Sequence, residues 1–162
     1  MKQISLTKGY VALVDDEDFE RVIAVGAWRA DVHYRKNGTV RTVYAVSGEK
    51  KTYLHRLIMG VTNPKTEVDH HDHDGLNCQK YNLRVCGRSQ NESNSRKWAV
   101  STTSSRFKGV SWDKRCGKWQ AGIVIGWRRK HLGRFTSEEA AARAYDAAAK
   151  RLFGEFALVN FN

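Results

Sequence analysis

Between Val68 and Glu92 the sequence gathers side chains suited to moving a proton and holding a metal ion. Val68-Asp69-His70-His71-Asp72-His73-Asp74-Gly75-Leu76-Asn77 is followed by Asn82-Leu83-Arg84-Val85-Cys86 and by Ser89-Gln90-Asn91-Glu92. Asp69 and Asn91 offer oxygen donors, which suit a hard divalent cation such as Mg²⁺ better than zinc. His70 follows Asp69 directly and so points to the other side of a local strand. An imidazole with an ordinary pKa near 6.5 can take a proton from water at neutral pH. A cation at the oxygen donors would stabilise charge developing on a scissile phosphate and on its leaving oxygen. His71 and His73, taken with Cys78 or Cys86, match no standard zinc spacing and read as loop residues near phosphate.

These groups need a frame. Val68 ends one short apolar run, Leu83 to Cys86 forms another, and the Asp-, Gly- and Asn-rich stretch between them is a loop. Gly87 turns the chain and Ser89-x-x-Glu92 is a capping box that starts a helix. The prediction is strand, long loop, strand, helix within about thirty residues. Upstream, Leu54, Leu57 and Ile58 fall at helical spacing before Gly60 and the lone proline, Pro64. Residues 1–50 alternate apolar and polar over short runs, with Asn37-Gly38 as a two-residue hairpin signal. Asp15 to Asp18 lie ahead of Phe19, Val22 and Ile23, as acidic residues do in the first turn of a short helix.

The order Asp69-His70, then Asn82 12 residues after the histidine, then Asn91 nine further on, resembles the HNH endonuclease motif of the ββα-metal fold. Asparagine in the last position is similar to a phage and homing-endonuclease branch of that family, which often carries a triplet like His55-Arg56-Leu57 upstream. The resemblance runs from about residue 5 to residue 98. It implies that Asp69 and Asn91 are metal ligands and that His70 is the general base. It implies too that Asn82 is structural, its amide bonding across the loop to hold His70 in place. Arg84 and His55 are catalytic candidates that either contact the scissile phosphate or brace the fold. Mg²⁺ is the expected ion, with Mn²⁺ as the alternative, and no organic cofactor is implied. One motif per chain suggests a single-strand nick by a monomer. A double-strand break would need two active sites, two successive nicks or a dimer on DNA.

Charge singles out the other end of the chain. Residues 99–162 carry 12 basic and 5 acidic side chains, whereas residues 1–54 carry 9 and 7 and residues 55–98 carry 7 and 5. Such an excess points to a polyanion, most simply nucleic acid. Three strand-like runs, Phe107–Trp112, Lys118–Ile125 and Arg129–Phe135, are separated by Cys116-Gly117 and Gly126-Trp127. A helix follows, with Thr136-x-x-Glu139 as its capping box, an apolar face of Ala141, Ala144, Tyr145, Ala148 and Leu152, and Gly154 as its stop. Phe107-Lys108-Gly109-Val110, Gly117-Lys118-Trp119, Leu132-Gly133-Arg134-Phe135, Glu139 to Asp146 and Phe153-Gly154-Glu155-Phe156 closely resemble the AP2 DNA-binding domain, over residues 105–161.

That resemblance implies a three-stranded antiparallel sheet laid in the major groove, with a helix packed on its other face. By alternation Trp119, Ala121, Ile123 and Ile125 face the helix, while Lys118, Gln120 and Val124 face DNA. Arg129 and His131 stand where the family reads bases, and Lys108, Ser111, Trp112, Lys114 and Arg115 join the DNA-binding set. Arg128, Lys130 and Arg134 are expected to meet phosphates. Positions that carry Arg, Trp or Glu in the plant regulators are Ser111, Cys116, Gly122 and Val124 here, so their base preference does not transfer.

Length and composition bound the rest. A chain of 162 residues holds one ordinary domain or two small ones, and 41% hydrophobic content is enough for a core. The longest uncharged apolar run, Val22 to Trp28, is seven residues, against about 20 for a membrane span. The N-terminus lacks the apolar stretch of a signal peptide, so a cytoplasmic location is expected, in a host cell if the gene is a phage's. Three cysteines without a Cys-x-x-Cys pair argue against a disulfide scaffold or a four-cysteine zinc site. The expectation is an α+β chain, with a nuclease domain at 1–98, a linker at 99–105 centred on Ser101 to Ser105, and an AP2-type domain at 106–162. Its partner is double-stranded DNA, with no membrane involved. The rival reading is an AP2-type DNA-binding protein whose nuclease half is inactive. A third, a structural zinc protein that binds RNA, needs a metal site that the cysteine spacing does not provide.

Overall fold

Short alternating runs at the N-terminus pair as small antiparallel sheets in a computed structural model that describes residues 1–95 and 103–161. Of the linker expected over 99–105, positions 99–102 lie outside the described residues. The fold is mixed α and β with few helices, and it divides into two units, Met1–Arg88 and Ser89–Asn162.

In the first unit β1 (Lys2–Ser5) pairs with β2 (Val11–Val14), followed by α1 (Asp16–Ile23), whose first turn holds Asp16, Glu17 and Asp18. Strands β3 (Trp28–Tyr34), β4 (Val40–Ser47) and β5 (Thr52–Tyr53) form one sheet in that order, and α2 (Leu54–Ile58) follows. The β3–β4 hairpin is present, but its loop is not the two-residue turn expected of Asn37-Gly38. Arg35 N donates to Thr39 O at 2.8 Å, which leaves Lys36, Asn37 and Gly38 as a three-residue loop. Only Gly38 takes a left-handed φ, +80°, while the Asn37 side chain accepts from Thr39 N at 3.2 Å instead of turning left-handed itself. Strands β6 (Glu67–His70) and β7 (Leu83–Cys86) pair antiparallel, with Asp69 opposite Arg84 and His70 opposite Leu83. Ile4, Val14, Val22, Trp28, Ala45, Leu54, Val68 and Leu83 share one core, and the Trp28 indole N–H donates to Val22 O at 2.9 Å.

Helix α3 (Arg88–Asn94) leads into the second unit. It begins at Arg88, so Ser89 lies inside its first turn, and the capping box expected at Ser89 is displaced. Strands β8 (Val110–Asp113), β9 (Lys118–Ile125) and β10 (Arg128–Phe135) form an antiparallel sheet in the order β10-β9-β8. Helix α4 (Glu138–Phe153) packs on it. Its cap is Ser137, whose Oγ accepts from Ala140 N at 3.1 Å, one residue beyond the Thr136 expected from the sequence. The buried face is Ala141, Ala142, Tyr145, Ala148 and Ala149, with Ala144 packed at its edge, and Leu152 is exposed. The packed face is mostly alanine, with Tyr145 as its one large side chain.

Candidate functional site

Asp69 and His70 close strand β6, and both are buried. Across the ladder the Arg84 guanidinium donates to Asp69 Oδ2, an ion pair whose two side chains are nearly enclosed. The His70 ring sits in a box of other rings. Its centroid is 5.0 Å from His55, edge-on, and 5.9 Å from Tyr44, while its Nε2 faces the buried Cys78 Sγ at 4.0 Å. Burial lowers the His70 pKa below its ordinary value, against the pull of Asp72, Asp69 and Asp74, so the ring is neutral at pH 7. His55 is pushed down to about 3 by burial, then by the charge that His70 would carry once protonated in acid, and by Arg56. Its Nδ1 is buried without a hydrogen-bond partner.

The loop after His70 is braced from within. Asn82, 1% exposed, donates from Nδ2 to Asp72 Oδ1 at 2.9 Å and to Asn77 O at 2.8 Å. Its Oδ1 accepts from Asp72 N at 3.0 Å, and its backbone carbonyl accepts from His71 N at 2.9 Å. Burial works against the Asp72 carboxylate, but the Asp74 N–H and the amides of Asn77 and Asn82 hold its pKa below the ordinary value. The acidic loop residue closest to His70 in sequence is thus committed to loop architecture. His71 is exposed and His73 sits at a left-handed φ of 68°. Among the described residues no group of three or more His, Cys, Asp or Glu is placed to hold a metal ion. The expected ligands are a carboxylate and an amide, both oxygen donors and so chemically suited to a hard cation. Asp69 stands in the first unit with Arg84 on its carboxylate, and Asn91 stands on α3, in the second.

In the second unit the register sorts the sheet. Ser111 lies opposite Gln120, Val124 opposite Arg129 and Gly122 opposite His131, so these six share the face turned away from α4. Arg129 lies flat over Gly122, where a Cβ would fall 2.6 Å from its Nε, and its guanidinium reaches Ser111 Oγ at 3.5 Å. Lys118, Arg128 and Lys130 are exposed, as are Lys114 and Arg115 in the β8–β9 turn. Trp112 takes the opposite side from Ser111, edge-on to Trp119 at 5.0 Å. Arg134 is engaged with Asp113, Nε to Oδ2 at 2.9 Å.

Lys108 does not join that face. Its ammonium donates to Ser93 O at 2.5 Å and Ser95 O at 2.7 Å, at the end of α3, and burial lowers its pKa to about 8. Its backbone N–H donates to Asn160 Oδ1 at 2.6 Å, and Asn160 in turn donates to the buried Asp146 of α4. Sequence reasoning placed Lys108 by its family position and had no signal for this tie. Tyr44 and Cys78, the further walls of the His70 box, were also missed, because nothing local in the sequence brings them to His70.

No family model matches the chain. It is 35% identical over 115 residues to an uncharacterized HNH endonuclease of Acanthamoeba polyphaga mimivirus, a match covering 68% of this chain and 58% of that protein. It is 48% identical over 60 residues to APETALA2-like protein 2 of Oryza sativa subsp. indica, covering 36% of this chain and 14% of the rice protein. An AP2-like ethylene-responsive transcription factor of Arabidopsis thaliana is 41% identical over 58 residues, 36% of this chain and 12% of that protein. The chain therefore carries partial similarity to an HNH endonuclease and to AP2 proteins, and spans only part of each relative. No helix among the described residues is long and apolar enough to cross a membrane.

Proposed function

We propose that the chain is a DNA endonuclease of the HNH type, in which β6, β7 and α3 form the ββα-metal motif and the C-terminal unit is an AP2-type domain that binds the target. The reading rests above all on His70, a neutral, buried imidazole fixed next to Asp69 at a strand end. In this reading the His70 imidazole takes a proton from water. The hydroxide formed attacks phosphorus, the phosphodiester P–O bond breaks, and the departing oxygen is protonated from solvent. Asn82 keeps the loop closed so that the His70 ring cannot swing, Arg84 orients the Asp69 carboxylate, and His55 backs the His70 ring. A Mg²⁺-class ion held by Asp69 and Asn91 would supply electrostatic stabilisation of the charge that grows on the phosphate. On the C-terminal sheet Ser111, Gln120, Arg129 and His131 face base edges, while Lys114, Arg115 and Lys118 meet phosphates. Arg128 and Lys130, opposite Ile125 and Ile123, alternate to the α4 side of β10 and are not assigned to this face. A monomer with one such site makes nicks, as a phage homing-type enzyme would.

The Arg84 guanidinium on Asp69 favours a second reading, in which the pair has replaced a metal and the chain binds DNA without cutting it. Supercoiled plasmid and phage genomic DNA, incubated with Mg²⁺ or Mn²⁺, separate the two. Open circles from the wild type and none from His70→Ala, at equal DNA affinity, are the expected result. Equal cutting by both would refute the role given to His70, and salt-sensitive binding without cutting by either favours the second reading.

A further inference from the structure

Tyr44 sits at the centre of the His70 box although it lies far from the motif in sequence. Its ring centroid is 5.9 Å from His70, 5.4 Å from His55 and 6.0 Å from Tyr53, so it touches both imidazoles and the ring behind them. On its other flank the loop after His70 presses against it. A Cβ added at Gly75 would fall 2.8 Å from both Cδ1 and Cε1 of Tyr44, and closer still to the Val43 carbonyl. Gly75 does not have a left-handed φ, so its lack of a side chain serves this approach and not a turn. From the same stretch Gly75 O accepts from the Cys78 thiol at 3.8 Å, and that sulfur faces His70 Nε2. One aromatic side chain on β4 therefore bears both on the His70 ring and on the loop that holds the thiol against it.

We propose that Tyr44 is a positioning residue for His70, and that the bare backbone at Gly75 lets the loop close on its ring so that the imidazole has one orientation. The inference builds on the nuclease reading above. Tyr44 touches no reacting atom in it. What it contributes is ring contact, since an imidazole held between the tilted Tyr44 ring, the edge-on His55 ring and the Cys78 sulfur at Nε2 loses the freedom to rotate away from the attacking water. A misplacement of about 1 Å at a reacting group can lower a rate by on the order of 10²-fold.

The full chain is compared as wild type, Tyr44→Leu, Tyr44→Phe and Gly75→Ala. Single-turnover nicking is measured at saturating Mn²⁺ and DNA, beside the DNA dissociation constant, the melting temperature and the NMR shift of the His70 ring protons. Tyr44→Leu and Gly75→Ala should each lower the cutting rate by about 10- to 100-fold with DNA affinity within about twofold. Both should move the His70 ring shift, and Tyr44→Phe should restore rate and shift together. A rate and ring shift unchanged in Tyr44→Leu would overturn the proposal, as would a DNA affinity that fell in step with the rate. The ring shift also separates the two layers of reasoning. A wild type that never cuts, with a ring shift that still responds to Tyr44→Leu and returns in Tyr44→Phe, upholds the positioning contact and refutes the nuclease reading. If Tyr44→Leu melts early, Tyr44→Met, which keeps apolar bulk without the ring, carries the test, because Gly75→Ala also meets the Val43 backbone carbonyl.

Discussion

Acid should loosen the N-terminal unit through His55, by an amount its burial allows to be worked out. The folded-state pKa of His55 is about 3, against 6.5 for the exposed side chain. Because the folded value is the lower one, the unfolded chain takes up the proton first as pH falls. Stability is therefore level above about pH 6.5, and declines below it at up to about 1.4 kcal/mol per pH unit until about pH 3. Between pH 7 and pH 5 the loss assigned to this residue is about 2 kcal/mol. His55→Phe keeps a ring against His70 and removes the titrating group. Native-state hydrogen exchange at the amides of β3 and β4 reports the opening free energy of this unit directly. Wild type should lose about 2 kcal/mol more than His55→Phe over that pH interval, while groups away from this ring pair contribute to both chains alike. Equal losses would mean that His55 takes up its proton in the folded state, and the enclosed, uncharged pair of imidazoles at the centre of the site would be wrong.

Two predictions concern the C-terminal unit. Lys108→Met keeps the aliphatic stem and strips the ammonium from the Ser93 and Ser95 carbonyls, so urea denaturation should show a loss on the order of 2 kcal/mol. Its DNA affinity and salt dependence should match wild type, whereas Lys118→Ala should reduce the salt slope by about one. A salt slope that falls in Lys108→Met would return this lysine to the DNA-binding set. Gly122→Ala places a methyl 2.6 Å from Arg129 Nε, and the flexible guanidinium must leave the sheet face. Specific DNA binding should weaken by about tenfold with little change in melting. In a double-mutant cycle Arg129→Ala should then add nothing further, and additive losses would show that Arg129 does not act from above Gly122.

The parts of this chain that were legible in its sequence are those whose causes lie within a few residues. Alternation and turn residues sufficed for the paired strands around the Asp69-His70 loop and for the three-stranded sheet. Glycine and acidic residues marked the ends of α4 to within a residue. The misreadings were also local, and two of them came from nearby groups competing for one role. Ser137 took the cap that Thr136 was equally able to make. Asn37 used its side chain as an acceptor for Thr39, so the hairpin loop grew by a residue. Leu152 kept the helical period but is exposed. What stayed hidden depends on pairs far apart in the chain. The Asp69–Arg84 ion pair is fixed by the β6–β7 register, and Tyr44 meets His70 only because β4 passes beneath the loop that Gly75 keeps thin. Lys108 shows the same limit in the second unit, where a cation in a basic segment meets two backbone carbonyls. Residue type and spacing can nominate a general base, because its chemistry belongs to the side chain itself. They cannot nominate the residues that hold it still, because many side chains can pack against an imidazole and only the folded register determines which ones do.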